Sequence, residues 1–210
     1  MKLELHVVTP GWNRIYALDS WMKGRDKTLI RILEPVKQRG EGYLKLEFQL
    51  WTYVPKVERT ILIPPSSMLQ PFLGSDFSYD DLIRASGWDE DYDHHVVGEE
   101  DIGGEQAVVI NLNPKPEAPV VYGRLKLWLR KKDSVPLKEE FYDERNTLLK
   151  TMWFRDIQPK GGHEIPTQWE MVNHREEGRK TIVAISEAQY DRSISDHFFT
   201  RRQLEEPVRD

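Results

Sequence analysis

The sequence predicts a mainly β protein, in which a strongly curved antiparallel sheet forms an incomplete, half-open barrel with a few short capping helices. Apolar and polar residues alternate along many short segments, whereas the helical period of about 3.6 residues is scarce. Short turn-forming segments separate successive strand-like segments, which is typical of hairpins and meanders. Ten or more strands connected in this way would curl into a barrel or part of one.

The clearest alternation runs over residues 43–50, which we predict to form one strand. Its apolar face would carry Leu44, Leu46, Phe48 and Leu50. A strand with one apolar and one polar face is typical of an antiparallel sheet that is solvated on one side. Further strands are predicted near Ile30 and at residues 3–9, 59–63, 92–100, 106–112, 121–131, 137–143, 147–157, 165–175 and 181–190.

Turn residues and helix caps interrupt the strands. We predict hairpin connections at residues 103–104, 132–134, 144–146, 161–162 and 176–178. In the irregular segment 64–87, Ser78 reads as the N-cap of a helix that would stop at Gly87. Thr200 and Gln203 have the spacing of a capping box for a short final helix. We expect these helices to lie on the concave side of the sheet.

Composition and charge exclude several classes of protein. The net charge is −5 and no basic stripe is present, so we expect no nucleic-acid partner. The chain has no cysteine, which excludes disulfides and thiolate chemistry. No apolar segment approaches the roughly 20 residues that span a bilayer, so we expect no transmembrane segment. We also find no signal peptide at the start of the chain, which indicates either a cytosolic protein or one whose leader is missing.

Metal and catalytic chemistry have weak support. His94 and His95 are adjacent on a predicted strand and point to opposite faces, and we expect no metal site and no cofactor. Ser75 could act as a nucleophile, or two of Asp76, Asp80 and Asp81 as an acid–base pair. Residues 74–77 lack the second glycine of a nucleophile elbow, and helix capping accounts for Ser78 and the acidic residues after it. We therefore expect no catalytic residues and no enzyme activity.

An apolar segment without strand periodicity lies within the irregular residues 64–87. It contains Met68, Leu69, Phe72, Leu73 and Phe77. These side chains could plug the end of the sheet as ordinary core, or they could form a lid over a cavity, since Met and Phe adapt to variable acyl chains. The sequence leaves both interpretations open.

Short motifs along most of the chain resemble one known family. The most specific is Phe72-Leu73-Gly74-Ser75-Asp76-Phe77 followed by Asp80-Asp81-Leu82. On this motif the chain resembles the LolA-like family of outer-membrane lipoprotein-sorting proteins, the periplasmic lipoprotein and lipid carriers. Supporting matches are Trp51-Thr52-Tyr53-Val54-Pro55, Arg59, Ile61, Ser67-Met68, Pro114-Lys115, Val120-Val121-Tyr122-Gly123, Pro136-Leu137, Tyr142-Asp143-Glu144, Ile165-Pro166-Thr167 and Phe199-Thr200.

The resemblance implies a periplasmic protein of the Gram-negative envelope, active in outer-membrane biogenesis, whose half-open barrel carries lipidated protein or lipid cargo. It also implies an inner-membrane exporter and an outer-membrane acceptor as partners. Family members begin with an export signal and further residues before the first strand. This chain lacks both, so we expect a single LolA-like domain over residues 1–210 without the N-terminal signal or helix.

These expectations combine into a site hypothesis. An apolar ligand would lie in the concave cavity, and its binding would require no cofactor. The runner-up hypothesis is a protein-interaction or envelope-sensing module that uses the same half-barrel without lipid cargo. For the carrier, we predict a cavity wall of Leu44, Leu46, Phe48, Leu50, Leu125, Leu127 and Leu129, and a lid of Met68, Phe72, Phe77 and Leu82.

Overall fold

The computed structural model describes residues 1–84 and 88–208, and for Trp88 and Asp89 it describes the backbone alone. Three short α-helices are α1 (Tyr79–Arg84), α2 (Trp88–Asp91) and α3 (Arg201–Glu205). The strands are β1 (Lys2–Val8), β2 (Asn13–Lys23), β3 (Lys27–Glu34), β4 (Gly42–Leu46), β5 (Gln49–Val54), β6 (Arg59–Leu62), β7 (Tyr92–Ile102), β8 (Glu105–Pro114), β9 (Arg124–Arg130), β10 (Pro136–Tyr142), β11 (Leu148–Lys160), β12 (His163–Asn173) and β13 (Lys180–Glu187).

All of these strands join one 13-stranded sheet in the order β6-β5-β4-β3-β2-β1-β13-β12-β11-β10-β9-β8-β7. Each neighbouring pair is antiparallel. Pairing of β1 with β13 joins two meanders, β1–β6 and β7–β13, into a single sheet. The edge strands β6 and β7 stand at opposite ends of the order, so the sheet curves without closing. The predicted half-open antiparallel barrel is confirmed.

The predicted hairpin turns are confirmed, since each of the five lies between two consecutive strands of the sheet. Most predicted strands lie within three residues of their observed bounds. The alternation pattern did not predict β2, because the buried positions of this strand include the polar residue Ser20 beside Tyr16 and Leu18.

The prediction of one strand over residues 43–50 is wrong. The chain turns at Glu47 and Phe48, so β4 and β5 form a hairpin in which Lys45 pairs with Leu50. Phe48 lies in the turn and is 65% exposed. The four apolar side chains therefore do not share a face.

The inner face of the sheet is covered in part by residues 64–84, which we call the inner segment. Its helix α1 begins as predicted, because Ser78 Oγ accepts a hydrogen bond from Asp81 N at 3.1 Å. Asp81 Oδ2 in turn accepts from Ser78 N at 2.7 Å, which completes a reciprocal cap. The helix stop expected at Gly87 lies outside the described residues.

The C-terminal helix lies on the outer face, so the expectation that it packs on the concave side is wrong. Thr200 Oγ1 caps α3 as predicted by accepting from Gln203 N at 3.2 Å. Leu204 packs with Leu29 and Leu44, whose side chains point away from the inner segment. The Arg31 guanidinium donates to the carbonyl oxygens of residues at the end of this helix, Gln203 at 2.6 Å among them.

Candidate functional site

The inner face has two unequal halves. Over the N-terminal strands the inner segment packs tightly against the sheet, with Phe72 in edge-to-face contact with Tyr43 at 4.9 Å between ring centroids. Over β8–β12 a second apolar cluster lines a cavity. Phe77 and Trp169 contact both clusters and mark the border between the two halves.

A buried carboxylate fixes the inner segment to the sheet. Asp76 Oδ1 accepts from Arg179 Nε at 2.7 Å and from Asn173 Nδ2 at 3.1 Å, while Oδ2 accepts from Thr181 Oγ1 at 2.7 Å. Arg179 Nη2 also donates to the carbonyl oxygen of Gly74 at 2.8 Å. The glycine–serine–aspartate motif is therefore a structural anchor that holds the segment against β12 and β13.

A second polar group fixes the start of α1 beside the cavity. Tyr122 donates its hydroxyl to Asp81 Oδ1 at 2.8 Å, and Lys150 Nζ lies 3.2 Å from Asp81 Oδ2. Lys150 also donates to the carbonyl oxygen of Asp76 at 2.7 Å. Burial first, and then Asp81, raise the pKa of Tyr122 well above its ordinary value. Tyr122 therefore stays a neutral donor.

The cavity, which is lined by β9–β12 and by the first residue of β7, has a volume of about 390 Å³. This volume lies in the range of small-molecule sites, which are mostly apolar with a few polar groups. The lining is formed by Phe77, Asp80, Asp81, Leu82, Arg84, Tyr92, Tyr122, Leu125, Leu127, Leu129, Pro136, Glu139, Phe141, Met152, Phe154, Trp169 and Met171.

The structure brings part of the predicted wall into this cavity. Leu125, Leu127 and Leu129 alternate along β9 and all line it. Leu44 and Leu46 pack on the outer face with the C-terminal helix, so their assignment to the wall is wrong. Leu50 faces inward, but it lies in the filled N-terminal half and not in the cavity lining. Phe48 is in the exposed turn and does not line this cavity.

The four residues of the predicted lid lie in two different places. Phe77 and Leu82 line the cavity, whereas Phe72 is buried in the filled half of the inner face and Met68 packs against the same cluster. Phe72 and Met68 therefore act as core, which was the alternative interpretation of this stretch. None of the four residues forms a separate flap in the structure.

Several lining residues were not predicted from the sequence, and strand parity could have found them. Glu139 pairs with Leu127 across β9 and β10 and with Met152 across β10 and β11, so the three share a face. Phe141 lies two residues beyond Glu139 on the same strand. The same reasoning applied to β12 would have included Trp169 and Met171.

Glu139 is the unusual member of the lining. Its exposure is 0%, and neither carboxyl oxygen has a hydrogen-bond partner within residues 1–84 and 88–208. Burial first, and then the nearby Asp81 charge, raise the pKa of Glu139 well above its ordinary value. Burial therefore favours the protonated, neutral form of this side chain.

Charged residues at the edge of the cavity are paired. Arg84 Nε lies 3.0 Å from Asp80 Oδ1, and the same guanidinium contacts Asp91. Burial raises the pKa of Asp80, against the opposing effect of Arg84. The pair with Asp91 joins α1 to the end of α2, directly before β7.

The geometry around Ser75 does not support nucleophilic catalysis. Ser75 is 1% exposed, and its hydroxyl faces the backbone of Phe77 in a local turn. Asp76, its neighbour, is committed to Arg179 and Thr181. Among the described residues no group of three or more His, Asp or Glu side chains is placed to hold a metal ion.

Two further hollows, of about 490 and 510 Å³, lie outside this cluster. Charged side chains form a larger share of both linings than of the candidate cavity, including Asp19, Glu187 and Arg192 in the first and Glu177 and Arg179 in the second. The more apolar lining of the β9–β12 cavity makes it the candidate ligand site. No helix in the part of the chain that the structure describes is long and apolar enough to cross a membrane.

Comparison with known proteins identifies the family and the fold of the chain. A family model described as an uncharacterized protein matches residues 24–206. No curated protein matches the chain.

Three solved structures share the fold over almost the whole chain. A DUF1329 family protein from Desulfovibrio piger is 25% identical with a TM-score of 0.86, over 97% of this chain and 89% of that one. A domain from Vibrio parahaemolyticus named for outer-membrane lipoprotein sorting is 24% identical with a TM-score of 0.83, over 98% and 90%. A LolA superfamily protein from Nitrosomonas europaea is 25% identical with a TM-score of 0.78, over 96% and 90%.

Proposed function

The chain belongs to the family of uncharacterized proteins whose model matches residues 24–206, and the chain has the LolA-like fold; from this premise we propose that the protein is a carrier for lipid-like acyl chains. The observation that supports this proposal is the cavity of about 390 Å³ on the inner face, which the protein's own side chains leave open. Leu125, Leu127 and Leu129 of β9 would form its wall, with Phe77 and Leu82 at its border.

A carrier of this kind answers a physical need. The transfer of each methylene group out of water is favourable by about 0.8 kcal/mol. Exposing a chain of about 16 carbons to water therefore costs on the order of 12 kcal/mol of free energy. Such a chain needs cover while it crosses an aqueous space. The lining includes Met152 and Met171, whose flexible side chains suit a guest of variable shape.

The setting that we propose is the periplasm, with lipoprotein acyl chains or another lipid as cargo. An inner-membrane exporter would supply the cargo and an outer-membrane acceptor would receive it. The protein would act as a binding protein without catalysis. This assignment draws on the relatives that are named for lipoprotein sorting and for the LolA superfamily.

The competing hypothesis was a protein-interaction or sensing module with a filled inner face. The N-terminal half of that face is indeed filled, by Phe72 and Ile83 among others. The open half over β8–β12 favours the carrier, because a packed core needs no such space.

Two matched leucines test the proposal. Leu129 is half-buried in the cavity wall, and Leu46 is half-buried under the C-terminal helix on the outer face. A carboxylate in an apolar lining disfavours hydrocarbon because it is costly to desolvate. We expect Leu129→Asp to weaken the binding of a fluorescent fatty acid at least about tenfold, which is about 1.4 kcal/mol.

Leu46→Asp is the control, and we expect it to bind like the wild type. Phe48→Asp, in the exposed turn, should also leave binding unchanged. Circular dichroism would establish that each variant is folded. Wild-type affinity in a folded Leu129→Asp protein would refute the assignment of the cavity.

A further inference from the structure

The cavity wall contains one acid whose hydrogen-bonding groups are unused. Glu139 sits in the middle of β10, between Leu127 of β9 and Met152 of β11 in the strand register. All three residues line the cavity. The Glu139 side chain is fully covered, and its two oxygens have no partner within the described ranges 1–84 and 88–208.

The neighbouring hydroxyl groups do not satisfy this acid. The hydroxyl of Tyr122 donates to Asp81 Oδ1 at 2.8 Å, and that of Tyr92 faces the carbonyl oxygen of Tyr122 at 3.4 Å. A buried polar group without a partner destabilises the protein, and an apolar residue of similar size would avoid this cost. A partner that comes with the ligand would recover this loss.

The chemistry of the acid limits what that partner can be. A protonated carboxyl group has one O–H donor and one carbonyl acceptor. A cationic head group would require an ionised Glu139, and two buried charges lose more in desolvation than their attraction regains unless further hydrogen bonds support them. A neutral acceptor on the ligand meets the O–H donor without that loss.

We propose that Glu139 binds the carbonyl oxygen of an acyl ester or amide, so that the cavity selects acylated molecules over plain hydrocarbon. This inference rests on the proposed carrier function and specifies its ligand. The carboxyl group of Glu139, which is covered in this structure, turns towards the entering ligand, and its O–H donates to the acyl carbonyl. The leucine and methionine side chains around it cover the hydrocarbon. The two sources of such a carbonyl are an ester-linked lipid and the amide-linked acyl chain of a lipoprotein.

Competition against a fluorescent fatty acid tests this inference with four probes of similar length: methyl palmitate, N-methylpalmitamide, heptadecane and hexadecylamine, all delivered from cyclodextrin. In the wild type we expect the ester, the amide or both to compete about fivefold better than the alkane, a ratio that corresponds to about 1 kcal/mol and to the net contribution of one hydrogen bond. The ratio of amide to ester shows which of the two sources fits better.

Two substitutions assign the effect to Glu139. Glu139→Gln keeps a donor in place and should retain the preference for the carbonyl probes. Glu139→Leu removes the donor and should bring the ratio of carbonyl probe to alkane close to one, while the alkane still competes. A Glu139→Leu protein that keeps the preference would overturn the inference, as would a wild type that favours the amine and loses this in Glu139→Gln.

The outcomes separate the inference from the carrier function itself. If no probe competes in the wild type, both fail. If the carbonyl probes and the alkane compete equally, the carrier function stands and the role of Glu139 is refuted. Should Glu139→Leu fail to fold by circular dichroism, the wild-type ratio and Glu139→Gln still decide, because a ratio of one or a loss of preference in Glu139→Gln contradicts the donor role.

Discussion

Arg179 Nε lies 2.7 Å from Oδ1 of Asp76, a carboxylate with no exposed surface. The two residues are 103 positions apart in the chain. Their contact joins the inner segment to the sheet at the border between its filled and open halves. The cavity exists only while this segment stays in place, because Phe77 and Leu82 of the segment form part of its lining.

Asp76→Ala should therefore destabilise the protein strongly. The substitution removes the carboxylate that pairs with the half-buried Arg179 guanidinium and accepts from the buried Thr181 hydroxyl. Removal of one member of a buried ion pair costs about 3–5 kcal/mol. Urea denaturation followed by tryptophan fluorescence measures the change in the free energy of unfolding.

Glu176→Ala is the matched control. Glu176 also pairs with Arg179, at 3.3 Å, but it is exposed. An exposed ion pair is worth about 0–1 kcal/mol, so the loss should be small. Equal and small effects of the two substitutions would contradict the anchoring role of Asp76.

Gly123 should tolerate no side chain. A Cβ atom at this position would lie 2.6 Å from Glu144 Cα and 2.7 Å from the carbonyl oxygen of Asp143, which are backbone atoms that cannot rotate away. Gly123→Ala should cost about 1–3 kcal/mol through overpacking. Since Tyr122 is the adjacent residue, we also expect weaker binding of fatty acid.

Gly11→Ala provides the comparison. A Cβ atom at Gly11 meets nothing within 4 Å, so we expect no loss of stability and at most a gain of about 1 kcal/mol. Thermal denaturation of the two variants separates the predictions. An unchanged melting temperature in Gly123→Ala would show that the loop around residue 144 can move.

Local alternation predicted the sheet well and the wall only in part. Along β9 no turn interrupts the pattern, so parity correctly placed Leu125, Leu127 and Leu129 on one face. In residues 43–50 apolar and polar residues also alternate, but this alternation continues across a turn that the pattern does not reveal. Glu47 adopts the turn with a φ of 53° without the Asn-Gly or Asp-Gly pair that marks most two-residue hairpins.

The cavity itself was beyond prediction from alternation. Parity shows which side chains face inward, but not how much of the inner face the segment 64–84 will fill. That depends on long-range contacts such as the one between Phe72 and Tyr43. The inward position of Glu139 could have been predicted, because Phe141 faces inward on the same strand. A glutamate between a lysine and another glutamate, however, is typical of a solvated strand face.

The buried acid predicts an unusual dependence of stability on pH. The unfolded Glu139 loses its proton near pH 4.3, whereas in the native protein its raised pKa keeps it protonated to higher pH. The native state then binds more protons than the unfolded state, so this residue lowers stability as the pH rises from about 4.3 towards the native pKa. Glu139→Gln removes this contribution.

We therefore expect the melting temperature of Glu139→Gln relative to the wild type to increase between about pH 5 and pH 8. Glu187→Gln, on an exposed side chain of β13, should differ little from the wild type across this range. Differential scanning calorimetry at several pH values gives the comparison. A difference that stays constant with pH would mean that Glu139 ionises in the native protein.

The methionine methyl groups report directly on where an acyl chain binds. The protein has five methionines. Met152 and Met171 line the cavity, whereas Met22 is exposed on β2 away from this lining. In NMR spectra of ¹³C-methyl-methionine protein, a spin-labelled stearic acid should broaden the signals of Met152 and Met171 and leave that of Met22 unchanged. Broadening of Met22 alone, or of none of these signals at saturating ligand, would contradict a carrier with its site on the inner face.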